Sequence, residues 1–194
     1  MPAGGEIELI ERFVAVEASE AVFAALSAQI GFEQRPIRIM GRTVMQPRLS
    51  AWVGDPGAAY TYSGVLNEPA PWSAALLELR HAASAAAGEP FNSVLCNLYR
   101  DGTDSMGFHA DAERELGPQP VIASLSLGAT RRFQVRHRRD VADRLDIDLH
   151  DGSLLIMRGE LQRHYRHAVP KQRAITEPRI NLTFRRIMSR AAGP

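Results

Sequence analysis

The chain has 194 residues, is 45% hydrophobic and 23% charged, and carries 23 basic against 22 acidic side chains with a single cysteine. This composition excludes a disordered, fibrous or disulfide-built protein and fits one globular domain. No apolar run approaches 18 residues, and Glu6 and Glu8 stand where a secretory leader would carry positive charge, so a cytoplasmic protein without a membrane span is expected. Cys96 lies in an apolar run and reads as a small buried side chain. Lys171 is the only lysine, and charge is segregated along the chain: five arginines and His137 fall between Arg131 and Arg139, then five aspartates between Asp140 and Asp151. That arrangement is either a basic patch for an anionic partner or a solvated hairpin face.

In chain order, Ser19 to Ile30 sets Val22, Leu26 and Ile30 at helical spacing behind Ser19 as a cap. Arg35 to Met45 suggests a hairpin turning near Met40 and Gly41, and a Gly/Pro loop follows at Gly54 to Gly57. Trp72 to Ala87 repeats the helical pattern, ended by Gly88 and Pro90. From there the period drops to two. Val94, Cys96 and Leu98 alternate with Leu95, Asn97 and Tyr99; Phe133 and Val135 alternate with arginines; Leu145, Ile147 and Leu149 alternate with acids; Leu154 to Met157 is a short apolar run. The last strand, within Arg179 to Met188, puts Ile180, Leu182 and Phe184 on one face and Arg179, Asn181, Thr183 and Arg185 on the other. Many short strands after two helices predict a mainly β fold, a sandwich or jelly roll with flanking helices.

His109 and Asp111 are two positions apart, so on an extended segment both project to one side, the geometry of a pair of metal ligands. Either His164 or His167, after a strand-like run, completes a two-histidine, one-carboxylate face with open positions suited to Fe(II). A structural zinc site is disfavoured by the single cysteine. The guanidiniums of Arg179 and Arg185 share a strand face and are suited to gripping a dicarboxylate, in the same pocket as Asn97 and Tyr99 if that face looks into one barrel.

Several segments together resemble the AlkB-type Fe(II)/2-oxoglutarate dioxygenases, in particular the double-strand-preferring DNA dealkylases. They are Asn97-Leu98-Tyr99-Arg100-Asp101-Gly102, His109-Ala110-Asp111, Glu113-Arg114-Glu115-Leu116, Gly152 to Met157, His167 and Arg179 to Arg185, within a match from about Met40 to Met188. The resemblance implies a double-stranded β-helix over 1–194, with 1–90 as an N-terminal extension bearing helices and a recognition hairpin and 91–188 as the catalytic core. It implies His109, Asp111 and His167 as ligands of Fe(II), choosing His167 over His164. Arg179 and Tyr99 would hold the distal carboxylate of 2-oxoglutarate, Arg185 and Asn97 would sit near its chelating end, and Asn181 is secondary. With O2, this site would hydroxylate the N-alkyl carbon of 1-methyladenine or 3-methylcytosine, releasing formaldehyde and succinate.

For the substrate, the resemblance implies that Tyr60, Tyr62 and Ser63 belong to a base-binding segment, with the tyrosines and His109 sandwiching a flipped ring and Glu113 meeting an exocyclic amine. Ile39, Met40 and Gly41 correspond to a finger that wedges a base step. Arg35, Arg38, Arg42 and the arginines from Arg131 to Arg139, including Arg131, Arg136 and Arg138, would meet phosphates. Ala112 departs from the family, where an aspartate often stands. The implied partner is DNA, with RNA or a protein side chain as other substrates of the same chemistry, on a monomer; a metal-free nucleic-acid-binding module is the rival reading.

Overall fold

The computed structural model describes residues 1–39, 41–58, 60–62 and 65–188, with side chains for all of these except 38, 39, 60–62 and 65–67. The elements in chain order are β1 (Gly5–Ile10), α1 (Val16–Gln29), β2 (Pro36–Ile39), β3 (Arg42–Met45), β4 (Leu49–Gly54), β5 (Tyr60–Tyr62), β6 (Val65–Asn67), α2 (Ala74–Ala87), β7 (Ser93–Tyr99), β8 (Met106–His109), β9 (Ile122–Gly128), β10 (Arg131–His137), β11 (Arg144–Leu149), β12 (Leu154–Gly159), α3 (Leu161–His164), β13 (Tyr165–Val169) and β14 (Arg179–Arg185).

Two antiparallel sheets form a jelly roll: a six-stranded sheet in the order β1-β12-β9-β14-β7-β4 and a four-stranded sheet in the order β11-β10-β13-β8. The larger sheet is buried on both faces. Outside, Val94, Cys96, Ile180, Leu182 and Phe184 meet Leu26 of α1 and Leu76 and Ala83 of α2. Inside, Tyr99, Ile122, Leu155 and Met157 meet Phe133, Val135 and Leu149 of the smaller sheet. Cys96 is buried in the helix-side core, as its setting predicted. The chain before residue 90 is built into the roll, because β1 and β4 are the two edge strands of the larger sheet.

The second helix matches its sequence signal, ended by Gly88 in the left-handed region at φ 66°, and Ser73, not singled out from the sequence, caps it by accepting from the Leu76 N–H. The first does not. It begins at Val16 with Ala15 at the cap position, and Ser19, expected as the cap, lies inside the helix and donates its hydroxyl to Asp151. A serine capping signal was outweighed by a tertiary partner. The hairpin of β2 and β3 pairs Ile39 with Arg42 at its tip; Met40, the expected wedge, lies outside the described residues.

The loop after β7 shows why Gly102 belongs in its segment. Its N–H donates to the Ile175 carbonyl, its carbonyl accepts from the Gln172 N–H, and a Cβ there would lie 1.8 Å from the Gln172 carbonyl oxygen. Backbone must therefore move to admit any side chain. Gly102→Ala is expected to lower stability by about 2 kcal/mol, read from the midpoint of urea denaturation; an unchanged midpoint would show that the two loops separate freely.

Candidate active site

Strand β14 has all seven residues buried, because it lies between β7 and β9 within the larger sheet. Its apolar face turns to the helices, and Arg179, Asn181, Thr183 and Arg185 line a pocket between the sheets. Asn97 and Tyr99 of β7 and Met106 and His109 of β8 line the same pocket, with Asp111, Phe133 and His167. The polar alternation read from the sequence is thus a pocket wall and not a solvated face.

Pairing of β13 with β8 sets His167 directly across from His109. Asp111 follows two residues later, and one ligand atom from each of the three lies within 4.8 Å of the others. His164, the alternative third ligand, is instead beside Glu160 at 3.6 Å. Each ligand is held by a neighbour. His109 Nδ1 meets the Gly107 carbonyl at 2.9 Å, leaving Nε2 for a metal. Phe133 stacks on His167 at 5.2 Å between centroids. The Asp111 N–H donates to Gln162 Oε1 at 2.9 Å, and Arg185 Nη2 donates to Asp111 Oδ1 at 2.5 Å.

Burial, assisted by His109 and Arg185, pushes His167 down to about 3 against the opposing pull of Asp111, so its imidazole is neutral, the form that ligates a metal. Burial alone would raise the Asp111 carboxyl, but the adjacent Arg185 guanidinium, with the neighbouring imidazoles, outweighs it and holds it below its usual range. At the far end of the pocket, Arg179 is 1% exposed and donates Nη2 to Ser126 Oγ at 2.7 Å, while its buried Nε and Nη1 have no hydrogen-bond partner among the described residues. Burial lowers this guanidinium to about 10, against the opposing Tyr99, which leaves it charged at neutral pH. The Tyr99 hydroxyl donates to Met106 Sδ at 3.9 Å.

A sequence model of the 2OG-Fe(II) oxygenase superfamily matches residues 6–185. The alpha-ketoglutarate-dependent dioxygenase alkB homolog 3 of Bos taurus is 43% identical over 90% of this chain and 64% of that protein, and its Homo sapiens counterpart is 41% identical with the same coverage. The DNA oxidative demethylase ALKBH2 of Homo sapiens is 38% identical over 95% of this chain and 70% of that protein. The chain belongs to the AlkB-type 2OG-Fe(II) oxygenases. It spans just under two thirds of the length of the alkB homolog 3 proteins. Among solved structures, OsALKBH1 superposes with a TM-score of 0.65 at 20% identity, covering 93% of this chain and 97% of that one. A 2OG-Fe(II) oxygenase from Burkholderia pseudomallei gives 0.59 at 16%, over 96% and 89%; at these identities the likeness is one of fold.

Fe(II) and 2-oxoglutarate are the metal and co-substrate of this family, and the pocket of this AlkB-type chain fits both. The nitrogen–oxygen donor set with no thiolate suits ferrous iron, and two buried guanidinium donors of Arg179 that lack partners suit a carboxylate. The pocket encloses a cavity of about 20 Å³ in this conformation, walled in part by the flexible side chains of Met106 and Met157. A roomier groove of about 1000 Å³ lies elsewhere, between α1 and the loops around Gly128 and Pro178. It contains none of the ligand triad.

Several expected roles change. Arg131 is 1% exposed and is no phosphate contact: it donates to the carbonyls of Asp101, Asp104 and Pro170. The charge segregation between β10 and β11 cancels across the hairpin, where Arg132 pairs with Asp148 and Arg136 with Asp146. Arg138 is exposed and donates to the Gln162 carbonyl; Arg42 is exposed and Arg35 half-buried. Asn181 donates to Ser124 Oγ and the Leu125 carbonyl, a bracing contact inside the wall. Glu113 is half-buried ahead of a short 3-10 turn, Arg114–Leu116. Gly41, exposed, sits at φ 77° in the hairpin turn. The side chains of Arg38, Ile39, Tyr60 and Tyr62, and Ser63 entirely, lie outside what is described.

Sequence reasoning missed Arg48, which is buried and donates Nε to Asn97 Oδ1 at 2.8 Å, and it missed Gln162 behind Asp111 and Phe133 behind His167. No local pattern marks the first two; Phe133 was legible only as a core residue of an alternating strand. Asp111→Asn is expected to cut Mn(II) affinity by more than the roughly 10–100-fold typical of losing a supporting contact, and Gln162→Ala by about tenfold, measured by titration calorimetry with circular dichroism to show that the fold persists. Unchanged affinity in Asp111→Asn would remove it from the ligand set.

Proposed function

We propose that this chain is an oxidative N-dealkylase of nucleic-acid bases, acting on 1-methyladenine and 3-methylcytosine type lesions in DNA. The observation that carries the reading is one buried pocket in which His109, Asp111 and His167 converge and Arg179 offers two donors without partners. Its similarity to relatives bearing the name DNA oxidative demethylase supports DNA as the substrate.

In this reading His109, Asp111 and His167 hold iron, Arg179 and Tyr99 hold the distal carboxylate of 2-oxoglutarate, and Arg185 and Asn97 stand at its chelating end. Bound iron, with 2-oxoglutarate and O2, supplies the oxidation that turns an N-methyl into an N-hydroxymethyl group, with succinate and CO2 as co-products. The hydroxymethyl group then leaves the base as formaldehyde. The chain itself contributes placement. Arg185 keeps Asp111 ionised and oriented, Gly107 keeps His109 in the ligating tautomer, and the apolar walls of Phe133, Met106 and Met157 keep bulk water from the reacting centre.

The damaged base must leave the stack, at a cost of a few kcal/mol. Tyr60, Tyr62 and Ser63 are assigned to its binding, with Glu113 toward its exocyclic amine and Ile39, Met40 and Gly41 as the finger that fills the gap. Arg35, Arg38, Arg42, Arg136 and Arg138 are assigned to phosphates. For Arg136 there is structural support: it is directly opposite Arg144 on one side and Arg166 on the other. Three like charges abreast repel, and the ion pair from Asp146 offsets only part of that, so the row favours an anion.

The deciding experiment loads the protein anaerobically with Fe(II) and 2-oxoglutarate, then admits air in the presence of oligonucleotides bearing one 1-methyladenine or 3-methylcytosine, as DNA and as RNA. Formaldehyde released in proportion to repaired DNA is expected, and turnover on RNA alone would move the substrate assignment. Met40→Ala is expected to slow duplex repair several-fold more than single-strand repair; equal loss on both would dismiss the finger.

A further inference from the structure

Arg131, expected on the surface, lies instead against the co-substrate end of the pocket. Its guanidinium carbon is 5.3 Å from the centroid of the Tyr99 ring, the same distance as that of Arg179, so both cations contact one aromatic side chain. Its donors reach the carbonyls of Asp101 at 3.1 Å, Asp104 at 2.8 Å and Pro170 at 2.9 Å, with Gln172 Oε1 at 3.4 Å from Nε. All of these acceptors are neutral. The carboxylate of Asp104 is engaged by Arg100 at 2.8 Å, and among the described residues Arg131 makes no ion pair of its own. Burial weakens this guanidinium, and Tyr99, Asp104 and Asp101 compensate its charge only without direct ion-pair contact, one ring away from the Arg179 donors that have no hydrogen-bond partner among the described residues. In a low-dielectric interior such a charge is felt over several ångströms.

We infer that Arg131 is a positioning residue for the distal carboxylate of 2-oxoglutarate, bracing the Tyr99 ring and adding a second buried positive charge behind Arg179. This rests on the reading that Arg179 holds that carboxylate. Arg131 does not line the pocket, so it acts through Tyr99 and through its field. It also ties the loop that follows β7 to the one that follows β13. A purely structural tie would disturb the metal ligands on β8 and β13 and hence every metal-bound anion, whereas the inferred role concerns only anions that reach the distal end.

Two ligands separate these roles: 2-oxoglutarate spans from metal to distal end, and oxalate chelates the metal alone. With the full chain loaded with Mn(II), titration calorimetry on Arg131→Met is expected to show about a tenfold loss of 2-oxoglutarate affinity and unchanged oxalate affinity. Unchanged affinity for both, or an equal loss of both, overturns the inference. Should Arg131→Met fail to fold, Arg131→Lys decides the matter: it keeps a charge near the ring, so a smaller but still selective loss for 2-oxoglutarate is expected, and a non-selective loss or none overturns it. Arg179→Met is the control. If it leaves 2-oxoglutarate affinity intact, the underlying assignment of the carboxylate site fails, whatever Arg131 does.

Discussion

Four arginines and two aspartates are buried among the described residues, Arg48, Arg131, Arg179 and Arg185 against Asp104 and Asp111, and the rest of the site is arranged around that imbalance. Buried charges are tolerated only when paired or hydrogen-bonded, and leaving one partner alone costs about 3–5 kcal/mol. The pairs formed here are Asp111 with Arg185 and Asp104 with Arg100, while Arg131 is stabilised by neutral oxygens, Arg48 by Asn97 and Ser105, and Arg179 by Ser126 and Tyr99. The pocket between the sheets itself carries Arg179 and Arg185 against Asp111, a net positive lining complementary to an anion.

The jelly roll makes such an interior possible. A strand exposed on one side would put its arginines in water, but β14 has hydrogen-bonded neighbours on both edges, helices over one face and the smaller sheet over the other. Strand alternation then assigns one face to the core and the other to the pocket. The same geometry gathers the ligands: His109 and His167 are 58 positions apart in sequence yet are cross-strand neighbours, held in line by the ladder between β8 and β13.

Charge on the outside follows different rules. The basic segment of β10 and the acidic segment of β11 face each other as a hairpin, and their opposite charges are satisfied across it. Exposed pairs of this kind contribute little stability each, but they engage Arg132 and Arg136, two of the five arginines that a linear reading assigns to a partner. Arg144 and Arg166 stand on either side of the paired Arg136, a row that exists because three strands are in register.

Local signals settled much of the protein. The terminator of α2, the hairpin of β2 and β3, the alternation of β7, β10 and β14, and the spacing of His109 and Asp111 are all properties of a few neighbouring residues, and residues that close are governed by backbone geometry. Setting His167 across from His109, moving Ser19 from a cap to a partner of Asp151, burying Arg131, and bringing Arg48 to Asn97 and Gln162 to Asp111 were decided by the fold. Each depends on a contact between distant segments, and a side chain's partners across a sheet are fixed by strand order and register, which no short window of sequence contains.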